Sequence, residues 1–347
     1  MREAPRIGTW ILRLFDQTDQ FMRRAMRTTL GILLAIGSLA VCPALPAQAE
    51  DWPTRPVRLI VPFPAGGGTD NVARIIAKHL QQILGRPIVV DNRGGAGGAI
   101  GTEAVAKAEP DGYTIGIATS STLPASVVLQ KGVPYDPVDG FAQITRIGTT
   151  SYILVSGNDL PAKTLSEFIA YVKANPGKVS YASVGVTTLG YLLTEQFKIL
   201  AGIDMLHVPY RGAAQAYPDL IANRVQAFLD NPTGSAGFVK DGKLRAYAVT
   251  AHSAVLPDVP TFAEAGVNGF DTVFWYGLVA PPGTPRPIIE RIQREVDRYV
   301  HSPDGRAELL AKDVTPLGDT PEAFKASIAA DIAAWRKLAD RLGIKPE

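Results

Sequence analysis

The stretch Val57-Arg58-Leu59-Ile60-Val61-Pro62-Phe63-Pro64-Ala65-Gly66-Gly67-Gly68-Thr69-Asp70 carries the signature of the fold. A short apolar run ends in a glycine-rich turn. The turn opens onto Val72, Ile75, Ile76, Leu80 and Ile83, apolar positions at helical spacing that stop at Gly85-Arg86-Pro87. The same order recurs where Pro87-Ile88-Val89-Val90 leads into Asn92-Arg93-Gly94-Gly95-Ala96-Gly97-Gly98. A helix start leaves backbone N–H groups unpaired and carries a partial positive charge. Glycines let that backbone approach a ligand with no Cβ in the way. Two such turns side by side would form a pocket for a small anion, and nothing in that requires catalysis.

Outward from these turns, short β-branched runs alternate with helical stretches. Strands are expected at 57–62, 88–91, 114–119, 152–156, 179–182, 205–208, 225–230, 245–250 and 273–280, and helices at 69–84, 97–108, 164–174, 188–201, 213–222, 285–301 and 321–342. The alternation predicts an α/β chain of mainly parallel sheets flanked by helices. Crossings between domains are expected near Thr149-Thr150-Ser151 and between Gly266 and Trp275, where turn residues gather. The expected organisation is a first domain of 50–150 plus 270–347 and a second of 151–269. Two α/β domains joined this way leave a cleft over a hinge, and both glycine turns would face it.

The N-terminus reads as an export signal. Arg23, Arg24 and Arg27 precede an apolar run from Leu30 to Val41, and Ala47-Gln48-Ala49 supplies the cleavage site, so residues 1–49 form a signal peptide directing the chain to the periplasm. The long basic region leaves Met22 and Met26 as further candidate starts. Cys42, the only cysteine of the chain, falls in this segment. Leu39-Ala40-Val41-Cys42 loosely resembles a lipoprotein box, but Val41 fits poorly where a small residue is expected, so lipid anchoring ranks behind cleavage. Removing 49 of 347 residues leaves 298, without cysteine and so without disulfide or thiolate chemistry. The segment takes six Arg and three acids from the chain's 35 basic and 33 acidic residues, which leaves 29 against 30. No basic stripe remains for nucleic acid or an anionic membrane surface.

Catalytic and cofactor signatures are missing. Neither glycine turn satisfies G-x-G-x-x-G or carries the P-loop lysine, and there is no G-x-S-x-G elbow or H-E-x-x-H. His79, His207, His252 and His301 are too scattered to suggest a metal site, and no cofactor is expected. His79 reads as a helix-flank residue. Asp136 and Asp139 lie in a Pro/Gly turn without EF-hand spacing. The pattern is that of a binder and not of an enzyme.

At this point the chain resembles the periplasmic receptors of tripartite tricarboxylate transporters, the Bug receptors. The resemblance covers essentially the whole mature chain. It rests on four motifs in order: Trp52-Pro53-Thr54-Arg55-Pro56 running into the first turn; Val90-Asp91-Asn92-Arg93 running into the second; Pro110-Asp111-Gly112-Tyr113-Thr114; and His207-Val208-Pro209-Tyr210-Arg211-Gly212. It implies a two-domain Venus flytrap that captures small carboxylates and feeds integral membrane permease subunits. It also implies that one ligand carboxylate is held between the two glycine turns by backbone N–H groups and bridging waters. By position this implicates Phe63, Ala65, Gly66, Gly67, Thr69 and Asp70, together with Gly94, Gly95, Ala96, Gly97 and Gly98.

The far end of a ligand would be read by other strand ends. Thr119, Ser120 and Ser121 offer hydroxyls. Ser183, Gly185, Thr187 and Thr188 form a strand–turn–helix start suited to a second carboxylate or a carbonyl. Many family members carry a second glycine where this chain has Thr187 and a histidine where it has Tyr191, so ligand identity does not transfer. Tyr210, Gly212 and Ala213 open another helix, with Tyr210 either walling the cleft or buried as core. Asp230 either accepts hydrogen bonds from an amino or hydroxyl group in the cleft or caps a helix. The mature chain is expected as a monomer. A sensor feeding a receptor kinase and a periplasmic enzyme of small acids are the rival roles.

Overall fold

The computed structural model describes residues 52–346; the expected signal peptide, its cleavage site and Cys42 lie outside the described residues. The chain begins β1 (Val57–Val61), α1 (Gly68–Leu84), β2 (Ile88–Asn92), α2 (Ala99–Ala106), β3 (Thr114–Thr119), α3 (Ser126–Leu129) and β4 (Ala142–Thr150). Its middle third is β5 (Ile153–Gly157), α4 (Leu165–Ala174), β6 (Ser180–Ser183), α5 (Leu189–Ala201), β7 (Leu206–Pro209), α6 (Ala213–Ile221), β8 (Ala227–Asp230), α7 (Pro232–Lys240) and β9 (Leu244–Val249). It closes with β10 (Phe274–Ala280), α8 (Arg286–His301), α9 (Pro303–Leu310), β11 (Thr315–Pro316) and α10 (Pro321–Leu342).

These strands build two sheets, in the orders β11-β4-β10-β3-β1-β2 and β7-β6-β8-β5-β9. β1 lies between β2 and β3, parallel to both, and four of its five residues are buried. That is why Val57–Val61 is apolar at every position but the exposed Arg58 and does not alternate. α1 lays Val72, Ile76 and Leu80 against the sheet and stops at Gly85, whose φ of 66° places it in the left-handed region a helix end favours. The second sheet's first helix, α4, is fixed at its start by a capping box between Thr164 and Glu167.

Both sheets are mixed, where mainly parallel ones were expected. β10 runs antiparallel to β3 and β4, and β5 runs antiparallel to β8 and β9. Each of these strands arrives from the other sheet and not through a helical crossover, so nothing forces it to run with its neighbours. The chain passes to the second sheet at Ser151-Tyr152 and returns between Val249 and Phe274. Asp313, buried and at φ 58°, ties the two passages together: one carboxylate oxygen accepts from Ser253 Oγ at 2.7 Å and the other from Ser151 Oγ at 3.3 Å.

The C-terminal helix returns to the first sheet. Phe324 of α10 is fully buried, meets Trp275 edge-on with ring centroids 5.2 Å apart, and lies over Gly277, where a Cβ would come within 2.5 Å of its ring. Phe324→Ala is therefore expected to cost about 3–5 kcal/mol, read from the urea unfolding midpoint. A change below about 1 kcal/mol would mean that α10 is not part of this core.

Candidate functional site

The turn after β1 owes its shape to Asp70, which is 3% exposed. Its Oδ2 accepts from Gly66 N at 3.0 Å and Arg74 Nε at 2.9 Å, and its Oδ1 accepts from Asn92 Nδ2 at 3.0 Å. Asn92 also donates to Phe63 O, so the end of β2 is stitched to the first turn. Burial pushes the Asp70 carboxyl up, but the donors from Arg74, Gly66 and Asn92 outweigh it and hold the group below the usual carboxylate range. With both oxygens engaged, Asp70 shapes the turn from behind.

What the turn presents is a cavity between the sheets, with about 60 Å³ of space measured at water centres. That is room for a few waters or one small molecule. Four helices begin at its wall: α1 through Gly67, Gly68 and Thr69; α5 through Gly190; α6 through Ala213; and α7 through its cap, Asn231. A helix start leaves its first N–H groups without intrahelical partners and carries the positive end of the dipole. Phe63, Tyr152, Phe228, Leu229 and Phe274 supply apolar walls, and Ser121 and Ser183 supply hydroxyls. Ser183 Oγ is 2.6 Å from His207 Nε2 and accepts from Gly185 N at 3.1 Å.

The two sides touch around this cavity. Ser121 Oγ accepts from Leu189 N at 3.2 Å, and Asn71 Nδ2 donates to Thr233 O at 3.0 Å. Gly212 abuts the Pro64 ring, and Gly66 faces Ala214.

Of the residues singled out from sequence, Phe63, Gly67, Thr69, Ser121, Ser183, Ala213 and Asp230 line the cavity. The others surround it. Ala65 and Gly66 are exposed on the outside of the first turn. The second glycine turn, Gly94 to Gly98, is outside the lining: Gly94 packs on Pro64, Gly98 on Phe63 and Thr122, and Gly97 against Thr187 and Thr188, with Gly185 opposite. Four residues there, Gly95 to Gly98, have positive φ, which accounts for the glycine content. Thr119 bonds with Thr122, and Ser120 Oγ accepts from Trp275 N, so only Ser121 of that hydroxyl run reaches the cavity. Tyr210 lies off the cavity and donates to Asp219 at 2.9 Å; burial and that carboxylate push its hydroxyl up to about 12. Outside the site, His79 stacks on Tyr299 at 4.1 Å, and Asp136 accepts from Val138 N and Asp139 N within its own turn.

Asp230 closes the far wall. It is 9% exposed, accepts from Tyr217 Oη at 2.7 Å and sits beside Asn231 and Ser235 at the start of α7. Burial raises its carboxyl to about 6 in spite of those donors. Tyr217, Tyr276 and Tyr152 nearby are all pushed upward, chiefly by burial, and stay protonated. Tyr152, Phe228, Leu229, Asn231 and Phe274 were not anticipated. They sit at passages between the sheets or on the last turns of strands, where the facing side follows from register and not from local pattern.

This architecture defines the class: a two-domain periplasmic-binding-protein fold of the Venus flytrap kind. The chain belongs to the tripartite tricarboxylate transporter family receptors, whose family model matches residues 72–344. It is 35% identical over 319 residues to protein BugT of Bordetella pertussis, covering 91% of this chain and 97% of BugT. A solved structure of the periplasmic binding protein BugD is 34% identical, with a TM-score of 0.82 over 85% of this chain and 100% of that one. The structure of R. palustris Rpa4515 with adipate is 35% identical, with a TM-score of 0.83 over 85% and 100% of the two chains. Among the described residues no helix is long and apolar enough to cross a membrane.

Asp70→Ala would leave Gly66 N unpaired and Asn92 Nδ2 bonded to Phe63 O alone, and is expected to lower stability at neutral pH by about 2–4 kcal/mol in urea unfolding. The native carboxyl titrates below its unfolded value, so wild type's advantage holds above the ordinary carboxylate range. It is lost as the pH falls through the lowered value. Equal stability of the two proteins at pH 7 would contradict the role given to Asp70.

Proposed function

We propose that this chain captures a small carboxylate in the cavity between its domains and hands it to the membrane permease subunits of a tripartite tricarboxylate transporter. One observation carries the reading: four helix starts converge on one small cavity with apolar walls. Such starts stabilise an anion without a cationic side chain, and the apolar walls suit the carbon skeleton of an organic acid. The adipate carried by the R. palustris relative is chemistry of this kind.

In this reading Gly67, Gly68 and Thr69 grip one carboxylate oxygen by oxygen, with water completing the contacts. Ser183, Ala213 and Gly190 approach from the second domain, and Phe63 covers the skeleton. Gly94 to Gly98 act at the rim, where they meet Thr187 when the cleft is shut. The proposed domains are 50–150 plus 270–347 and 151–269, with Ser151 and the Asp313 tie at the hinge. The ligand favours the closed form through the contacts that only that form makes. Export by the N-terminal signal, with cleavage after Ala49, would place the receptor in the periplasm.

A panel of mono- and dicarboxylates tests this by thermal shift. At least one acid is expected to raise the melting temperature of wild type by several degrees, as binding to the native state alone must. Gly67→Val is a clean obstruction: a Cβ there meets nothing nearer than Pro64 O at 4.0 Å, and φ is −87°. The variant should fold like wild type and lose the shift. No shift with any acid, or an unchanged shift in Gly67→Val, would overturn the proposal.

A further inference from the structure

The second glycine turn stands outside the cavity lining, yet it is pressed against the turn after β6 in the other sheet. Gly97 has φ 63°, and a Cβ built on it would overlap the Thr187 hydroxyl and lie 3.4 Å from both Thr187 Cβ and Thr188 Cγ2. Gly185 faces it at φ 122°, and a Cβ there would lie 3.4 Å from Gly97 Cα. Two stretches of bare backbone therefore meet, with the Thr187 side chain set between them. The turn that carries Thr187 is fixed by its own bonds. Thr188 Oγ1 and Thr188 N donate to Gly185 O at 2.7 and 3.2 Å, and Gly185 N donates to Ser183 Oγ at 3.1 Å. With its backbone so held, Thr187 leaves Gly97 by moving with its whole side of the cleft. Both partners stand next to cavity walls. Gly98 packs on Phe63, which lines the cavity, and Ser183 and Val184 line it on the path to Thr187. Gly97 and Thr187 are themselves half-buried, between those walls and solvent.

We infer that this contact is the gate of the cavity: Thr187 seats in the space left by the missing side chain of Gly97, and an acid enters or leaves when the two part. The second glycine turn then serves to admit Thr187. Its likeness to the first turn in composition does not make it part of the anion grip. The gating of an acid rests on the carboxylate-capture reading, whereas the seating of Thr187 does not. A Cβ at position 97 would hold the two turns apart, and its loss at position 187 would leave the gate loose.

A crosslink tests this, because residues 50–347 contain no cysteine. The Cβ positions of 97 and 187 are 3.4 Å apart, close to the span of about 3.5–4.5 Å that a disulfide needs. Oxidation of Gly97→Cys/Thr187→Cys without any acid is expected to link most molecules internally, read as the loss of both free thiols in monomers. A pair that stays reduced in a variant with the wild-type circular dichroism spectrum would overturn the seating, and the gate with it. The linked form is then titrated calorimetrically with the mono- and dicarboxylate panel. Acids that bind the reduced form should not bind the linked one, and reduction should restore them; binding by the linked form would overturn the gate. Without crosslinks, Gly97→Ala should weaken the same acids about tenfold or more, and Gly97→Ala/Thr187→Gly should return to within about threefold of Thr187→Gly. The strain of alanine at a positive φ persists in that double variant, so the rescue reports the steric contact and not the strain. Absence of rescue would overturn the inference. If the crosslink forms but neither wild type nor the reduced pair binds any acid, the receptor reading fails and takes the gate with it, and Thr187 is left as a contact between the two sides.

Discussion

A helix start leaves backbone N–H groups without partners in their own helix, and the starts of α1, α5, α6 and α7 all lie at the wall of one cavity. Everything else in the molecule serves that convergence. β1, β6, β7 and β8 each end at the cleft, so the helices that follow must begin there. Asp70 and Asn92 hold the first turn in shape from behind, and Asp313 fixes the two passages on which the sheets are hung. A site made of backbone needs no arginine, and it tolerates side-chain drift. Its selectivity must then come from the few side chains that do face inward.

Those side chains divide the cavity. Near α1 the surface is glycine, threonine and the Phe63 ring; at the end of β8 it is a buried acid with tyrosines around it. In the proposed reading the carboxylate is gripped at the start of α1, on a different element from the acid at the end of β8. The two sides are joined beside the cavity, where Ser121 Oγ accepts from Leu189 N and Asn71 Nδ2 donates to Thr233 O.

Much of this was legible in the sequence. The run Val57–Val61 followed by proline and glycine announces a buried strand and a turn, and the glycine stops after α1 and α5 mark helix ends. β4 was passed over because Gln143, Thr145, Arg146, Gly148 and Thr149 interrupt its apolar residues, although it pairs along its length with β10. α7 is absent from the expected helices because Pro232, Gly234 and Gly237 break any apolar spacing; a proline in the first turn of a helix is well placed, and the cap is Asn231, not Asp230. The two glycine turns look alike as strings, yet one lines the cavity and the other meets Thr187. Composition cannot separate them, because the difference lies in which opposing loop each one faces. In the same way Ser121 and not Ser120 reaches the cavity, since a wide π-helical turn over Ser121–Ala125 takes the hydroxyls out of strand alternation. Asp230 could be placed at a strand end from sequence, but its neutral surroundings are a product of three distant elements.

The most direct test of the account is a crystal structure of the mature protein with the tightest-binding acid of the panel. The account predicts a carboxylate within hydrogen-bonding distance, direct or through one water, of the backbone N–H groups of Gly67, Gly68 and Thr69. A ligand whose carboxylate lies elsewhere, with those N–H groups turned to bulk solvent, would contradict it.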